Sequence, residues 1–487
     1  TCHRAGGIAP FSLVTYAEAS PMAQAMSDAI NGVNGEVMPP WPPNNDYQNY
    51  CNDKSLSAAQ ITTISDWNTN GAQEGIPGNT PPPPVFQSGS ILGPGDLEMQ
   101  IPTYMSKASA GVDDYVCFAM PSNLPGDRMI KSVEIIPGNI GIVHHALIFI
   151  DPTSNSYTDT IGSDCGGPSS PAAALVMGYT PGSSPLTLPA VNPLKLGIPF
   201  PANSQVYFAM HYPEGSYGQY DSTKVIFHFY PPGETGIRPV ITSRVLENWS
   251  FSLPANQVTA VSAQYPVAGT LTVDYSLLSV FPHMHLLGQS MKVYGIKPNL
   301  DTLKLIDVPD WDFHWQDFYF YKYIQKAEIG TLLKAEAVYD NTVANLENPN
   351  SPPITVGAGL NTSDEMMLAY MHYMPYLPGD ELFNMDSLMD ISASASLEES
   401  FGKSVFSVYP NPFDEGLNIY SSDFNSGDVV SVHIYDSKGT LMNRLARSVK
   451  LEANELLLKW DGNNENGSSA LPGLYFISIN VNGIMSH

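Results

Sequence analysis

The sequence predicts a multidomain, mainly β protein, and three observations carry that prediction. A chain of 487 residues exceeds what one hydrophobic core encloses, so several domains in series are expected. Proline (42), glycine (39) and tyrosine (26) are abundant while charged residues make up only 14%, which suits short strands and tight turns better than helical bundles. From about Gly93 onward, short β-rich runs recur between Pro, Gly and Asn. The 47 acidic against 21 basic residues give a formal charge of −26, which argues against nucleic acid or an anionic membrane as partner. No segment has the uninterrupted apolar length of a membrane helix.

Residues 1–76 differ from the rest. Helical patterns over Tyr16–Asn31 and Ser57–Asn70 flank Val37-Met38-Pro39-Pro40-Trp41, and the chain opens Thr1-Cys2-His3-Arg4. A Cys-His pair followed by a Met in a proline-locked loop resembles a small c-type cytochrome, where Cys-x-x-Cys-His attaches haem and His and Met are its axial ligands. The stretch is also similar to cytochrome c-like modules at the front of some bacterial copper monooxygenases, with their Cys-His-Arg, Ala-Pro-Phe and Met-Pro-Pro-Trp. That resemblance implies haem c on Cys2, His3 and Met38, in a chain expected to begin inside the motif. Read on the residues alone, a small helical cap with a chance Cys-His is the alternative. Residues 77–93, with Pro77-Gly-Asn-Thr-Pro-Pro-Pro-Pro84, read as a semi-rigid linker.

Runs such as Lys131–Ile136, Ile142–Ile150, Gln205–Tyr212 and Lys224–Tyr230, then Tyr275–Leu286, Leu332–Tyr339 and Glu365–Tyr373, predict two antiparallel sandwiches, over 94–242 and 243–378. Residues 379–404 are polar and Ser/Glu-rich and read as a second linker. The last unit, 405–487, carries Tyr409-Pro-Asn-Pro-Phe413, Tyr435-Asp-Ser-Lys-Gly439, Trp460-Asp-Gly462 and Pro472-Gly-Leu-Tyr475 in order. It resembles the C-terminal sorting domain of proteins exported by the type IX secretion machinery, which implies an Ig-like β-sandwich and a secreted or cell-surface location in a Bacteroidota-type bacterium. A generic Ig-like appendage is the alternative.

Within the sandwiches the histidines carry the chemistry. His144-His145 interrupts an apolar, β-branched run, and each buried ring needs a donor, an acceptor or a metal. Successive strand residues face opposite ways, so two neighbours share one ion only where the strand bends. One core and one outward histidine is the bland alternative. Further on lie Met210-His211-Tyr212, His283-Met-His285 and Asp364-Glu-Met366. His-x-His on a strand sets both rings on one face. Three imidazoles suit copper or zinc, whereas two imidazoles plus a thioether favour copper. A zinc hydrolase would more typically add a carboxylate or water.

This constellation resembles the core shared by peptidylglycine α-hydroxylating monooxygenase and dopamine β-monooxygenase, the ascorbate-dependent type II copper enzymes, over roughly residues 94–378. The resemblance implies two jelly-roll domains holding two coppers. His144, His145 and His211 match the electron-storing copper; His283, His285 and Met366 match the copper that meets O2 and substrate. It also implies a Cys117–Cys165 disulfide. The expected function is hydroxylation of a C–H bond of a small molecule with O2, with electrons from ascorbate or a redox partner such as the haem module. The expected alternative is a non-catalytic copper-binding or electron-transfer protein on the same scaffold. Where the peptide-amidating enzyme has a carboxylate-gripping arginine this chain has Phe281; Tyr370 matches the family tyrosine, but Leu368 replaces an asparagine. A carboxylate clamp without its guanidinium implies a more apolar or neutral substrate. His228 and His314 read as core or surface residues, His433 belongs to the last unit, and His372 is a candidate for a place behind the ligands.

Overall fold

Strand accounts for 44% and helix for 8% of the computed structural model, the balance the composition requires. The structure describes residues 3–4, 9, 11–33, 35, 37–76, 89–110, 112–161, 165, 167–168, 170–359, 362–389, 407–409, 413, 416–421, 426–436, 441–452, 456–470, 473, 475–481 and 484–486. The chain divides into two units, residues 1–395 and 396–487.

In the first unit, one sheet runs in the order Leu97–Gln100, Lys224–Phe229, Arg128–Ile136, Leu194–Phe200, Ile237–Pro239. A second runs Asp114–Pro121, Gln205–Tyr212, His145–Asp151, Ala174–Tyr179. Both feed one core, with Ile130, Val133 and Phe227 from the first meeting Val116, Ile148 and Phe208 from the second. A further pair of sheets follows. Ile241–Asn248, Met367–Pro375, Tyr275–His283 and Tyr319–Ala327 form one, and Gln257–Tyr265, Leu332–Asn341, Gly288–Ile296 and Thr302–Val308 the other. Their shared core contains Val280, Met371 and Tyr321 against Val293, Leu305 and Tyr339. Gly288–Ile296 shows the in–out alternation of a strand buried on one face only.

Short helices Tyr16–Ala19, Ala23–Ile30 and Ala58–Thr69 occupy the front of the chain, and Thr15–Glu18 and Ser57–Gln60 form capping boxes at two of them. The segment between them docks on the edge strand Tyr319–Ala327. Cys51 N–H donates to the Phe320 carbonyl (2.8 Å), Lys322 N–H to that of Asn49 (3.0 Å), and the Tyr50 hydroxyl to that of Leu305 (2.9 Å). Trp41 packs edge-on to Tyr319 at 5.5 Å. The front segment thus covers a row of backbone groups that would otherwise be an open sheet edge.

Residues 380–389 correct the expected 379–404 linker. Asp380–Leu382 is a turn of 3-10 helix, and Asp380 (2% exposed), Met385 and Met389 are buried. The polarity that read as solvation is consumed by an ion pair: Arg238 donates to both Asp380 carboxylate oxygens (2.6 and 2.9 Å) and to the Pro375 carbonyl (2.8 Å). Burial alone would raise the Asp380 carboxyl; Arg238, Ser276 and the Leu377 N–H hold it below the usual carboxylate range. Because Arg238 lies on a strand of the first sheet pair and Ser276 on one of the second, the pair ties the two together.

In the second unit Ser407–Tyr409, Leu417–Ser421 and Leu456–Trp460 form one sheet, and Leu441–Lys450, Val429–Asp436, Tyr475–Val481 and Ile484–Ser486 another. Trp460 is buried and packs on Phe413 (5.3 Å) and Tyr475 (5.1 Å). Three of the motifs read from the sequence therefore meet at one point of its core.

Arg238→Met keeps the chain length and removes both donors from a buried carboxylate, so it is expected to cost about 3–5 kcal/mol. Urea unfolding of the full chain measures this, and a loss below about 1 kcal/mol would show that Ser276 and Leu377 suffice to hold Asp380.

Candidate metal centres

His145 is the first residue of its strand, and His144 lies in the turn before it. That turn is wound around Asn139, whose carbonyl accepts the N–H groups of Ile142 and Val143 (3.1 and 3.2 Å) and whose side-chain oxygen accepts that of Gly141 (3.1 Å). The expected strand Ile142–Ile150 is therefore shortened at its start, and the pleat's alternation does not govern His144. His145 is directly opposite His211 in the ladder, so those two share a face. The His144 N–H donates to the His211 carbonyl (3.1 Å).

The Nδ1 atoms converge. His145 Nδ1 stands 3.3 Å from that of His144 and 3.2 Å from that of His211, and the three residues' donor atoms all lie within 4.8 Å of one another. His211 Nε2 donates to Asp113 (2.9 Å), which places the lone pair of His211 on Nδ1. One proton on His145 Nδ1 can serve only one of its two neighbours, so hydrogen bonding alone leaves lone pairs opposed. Tyr115, opposite His211 in the other ladder, stacks on its ring at 4.2 Å. Burial, with mutual repulsion among the imidazoles, lowers His145 and His211 well below the usual histidine range and His144 to about 4, so all three are neutral at pH 7.

The second set is built differently. His283 ends the strand Tyr275–His283, and His285 follows on the same side, their ring centres 5.2 Å apart and nearly perpendicular. His283 Nδ1 donates to the Gln316 side-chain oxygen (2.6 Å) and His285 Nδ1 to the Asp364 carbonyl (3.0 Å). Both lone pairs are thereby placed on Nε2. Burial lowers His283 to about 3. Met366 is buried at the start of Met367–Pro375, two residues before Leu368, which faces His283 in the ladder. Between Asp364 and Met366, the fully buried Glu365 accepts the N–H groups of His285 (2.9 Å), Leu287 (2.6 Å) and Met366 (3.2 Å). Burial pushes its carboxyl up to about 8 against those three donors. Glu365 thus ties the strand carrying Met366 to the turn carrying His285.

One loop, residues 311–318, touches both sets. Trp311 donates to the His285 carbonyl (3.2 Å), Gln316 holds His283, and the Phe313 ring lies 6.1–6.5 Å from His144, His145, His211 and His285. The buried Phe313 ring is thus within ring-contact distance of histidines of both sets. His314, read from sequence as a bland core or surface residue, has its ring centre 5.1 Å from that of His144, edge to face. Phe281, at the position of the lost clamp, is buried against Phe318 (4.9 Å) and Tyr370 (6.0 Å) and lies parallel to His283 at 6.2 Å. A small cleft of roughly 60 Å³ opens beside Phe318, bordered by Trp41, Lys54, Met177, Gly178 and Asp317.

His372 belongs to the core, bonded to Ser279 (2.7 Å) between Phe318 and Phe320, and His228 is likewise buried. Cys117 and Cys165 are disulfide-bonded, with Tyr207 donating to the Cys117 sulfur (2.6 Å). Cys2 lies outside the described residues; His3 Nδ1 is 3.1 Å from the Phe11 carbonyl, and Met38 is 38% exposed. Asp113, Tyr115, Gln316 and Phe313 escaped the sequence reading, because strand pairing and one loop recruit them; Glu365 stood inside the quoted Asp364-Glu-Met366 run, but its bracing role shows only in its bonds to His285 and Leu287.

Two stretches of the chain match known families. Residues 255–387 match the family "Copper type II ascorbate-dependent monooxygenase, C-terminal domain", and residues 407–486 match "Secretion system C-terminal sorting domain". The chain therefore carries a copper monooxygenase domain followed by a type IX sorting domain, and the latter marks it for export, secreted or at the cell surface. It is 24% identical over 277 residues to DBH-like monooxygenase protein 1 of Mus musculus and 25% identical over 295 residues to that of Homo sapiens. Each alignment covers 53% of this chain and 43% of the relative, so the chain spans less than half the length of these relatives. Among solved structures, the infectious bursal disease virus VP2 subviral particle aligns at 8% identity and a TM-score of 0.17, over 61% of this chain and 75% of that one; at that score the likeness carries no argument. Among the described residues, no helix is long and apolar enough to cross a membrane.

A histidine whose folded pKa lies below its unfolded value of about 6.5 is protonated first in the unfolded chain. Stability of the metal-free protein is thus expected to be complete above about pH 6.5 and to fall as pH drops towards the folded values, about 4 for His144 and about 3 for His283. Melts in chelator across that range should show a shallower pH slope for the His144→Gln/His283→Gln double variant. An unchanged slope would locate the protons elsewhere.

Proposed function

We propose that this chain is an exported copper-dependent monooxygenase that hydroxylates a C–H bond of an apolar or neutral small molecule with O2. The observation that carries the reading is the pair of largely enclosed histidine sets, one converging through Nδ1 and the other presenting Nε2, with the Phe313 ring near both. The donors fit copper. Three opposed imidazole nitrogens call for a cation, and the Met366 thioether, which the sequence motif assigns to the second set, would be a soft ligand that suits Cu(I) better than zinc. His144, His145 and His211 would hold one copper; His283, His285 and Met366 the other. Bound copper supplies O2 reduction and one-electron transfer.

The protein's own part is placement. Asp113 takes the His211 N–H, and Gln316 and the Asp364 carbonyl fix the rings of His283 and His285. Glu365 locks the turn of His285 to the strand of Met366. Phe281 is buried beside His283, and the partly exposed Phe318 and Tyr370 packed on it would offer a substrate apolar contact and no cation for a carboxylate. The same reading assigns jelly-roll connectivity to the two sheet pairs and an Ig-like one to the last unit, with the domain limits drawn from sequence except at 380–389. Ascorbate, named in the family description, is the reductant assigned. Haem attached at Cys2 would be the other source; with His3 Nδ1 engaged by Phe11, Nε2 is the nitrogen left for an axial bond.

Phe313 also favours a second reading, because a bulky ring placed near both sets would suit a copper protein whose cleft is closed to substrate. Substrate-independent and substrate-dependent O2 consumption by the copper-loaded chain, under ascorbate, separates the two. The monooxygenase reading expects two coppers per chain and O2 uptake; two coppers without uptake under any reductant would leave the second reading. Met366→Ala is expected to keep copper at His144/His145/His211 and to lose hydroxylation by at least about a hundredfold. Retained turnover, measured by product mass, would remove Met366 from the site.

A further inference from the structure

Three of the four histidines at the first set come from one sheet pair, and the fourth does not. His314 belongs to the loop joining Thr302–Val308 to Tyr319–Ala327, in the second pair of sheets, yet its ring lies edge-on to His144 with centres 5.1 Å apart. Its Nδ1 faces the Asp312 carboxylate at 3.5 Å, which turns Nε2 away from Asp312 and gives the ring a fixed orientation. The Asp312 side chain also accepts the His314 N–H (2.8 Å), so the two residues form one small rigid turn. The His314 side chain is 58% exposed, and ring packing alone gives it little reason to stand at this spot.

We propose that His314 is a fourth imidazole ligand for Cu(II) at the His144/His145/His211 set, reaching it across the boundary between the two sheet pairs. The inference rests on the copper reading above. Cu(II) prefers four nitrogen or oxygen donors in a tetragonal arrangement, and the three convergent Nδ1 atoms leave one position to fill. The His314 nitrogens lie outside the 4.8 Å cluster of the other three, so a movement of its loop would bring this neighbouring imidazole into that position. Cu(I), a softer ion satisfied by fewer donors, has less need of it. The oxidation state of the first set is then felt by the 311–318 loop, which also holds His283 through Gln316 and the His285 carbonyl through Trp311.

The test uses the full chain carrying His283→Ala and His285→Ala, so that only the first set loads, with one equivalent of Cu(II). Pulsed electron paramagnetic resonance is expected to count four imidazoles in this parent and three once His314→Ala is added. Cu(II) affinity by chelator competition should fall about tenfold or more, with Cu(I) affinity changed less than about threefold. His314→Gln, which keeps the polarity of the loop, should behave as His314→Ala, and circular dichroism confirms that both are folded. An equal imidazole count and equal Cu(II) affinity with and without His314 would overturn this proposal alone. A parent that binds no copper at all would overturn it together with the copper reading.

Discussion

Everything in the first unit is arranged around a repulsion. Three imidazole nitrogens face one another within hydrogen-bonding distance, in surroundings that keep all three rings neutral. Water would separate such lone pairs, and protonation would bridge only one pair while placing a charge where burial opposes it. The ladder forces the contact: His145 and His211 are opposite each other in an antiparallel pair, and the Asn139 turn drops His144 beside them. A fold that holds lone pairs together in this way is under a standing electrostatic load that a cation relieves.

The second histidine set, in the other sheet pair, is brought against the first by contacts far from either. Arg238 and Asp380 clamp the two sheet pairs, and the front segment seals the edge strand from which the 311–318 loop leaves. Lys54, further along that front segment, lies over the Trp315 ring at 4.5 Å. That loop thus contacts the front of the chain on one side and both histidine sets on the other, the latter through Phe313.

How much of this the sequence disclosed follows from what each residue does. Histidines are few and rarely buried in pairs, so their types and order narrowed the metal to copper or zinc, the resemblance they carry pointed to copper, and residues 255–387 match a copper monooxygenase domain. The residues that hold the ligands were invisible because their roles arise from pairing. Asp113 and Tyr115 lie beside His211 through strand register, and Gln316 meets His283 only once a loop folds back. His314 looked ordinary because nothing in its neighbourhood of sequence places it beside His144. Residues 380–389 looked like a linker because a salt-bridged aspartate and a solvated one are identical on the page. In the last unit the motif aromatics Phe413, Trp460 and Tyr475 were legible, since they are large and serve as core.

The two sets differ in what is fixed. At the second, Gln316 and the Asp364 carbonyl each take an Nδ1 proton, so both tautomers are determined before any metal arrives. At the first, only His211 has its outer nitrogen tied, to Asp113, while His144 and His145 point their Nδ1 atoms inward without a comparable anchor in the hydrogen bonds described. A preset pair suits a place where small reacting molecules must meet a ligand geometry that does not move. A set with slack suits an ion that changes its preferred coordination when it gains or loses an electron. Under the proposed function, the difference in anchoring, more than the count of histidines, would separate an electron-storing site from a reacting one.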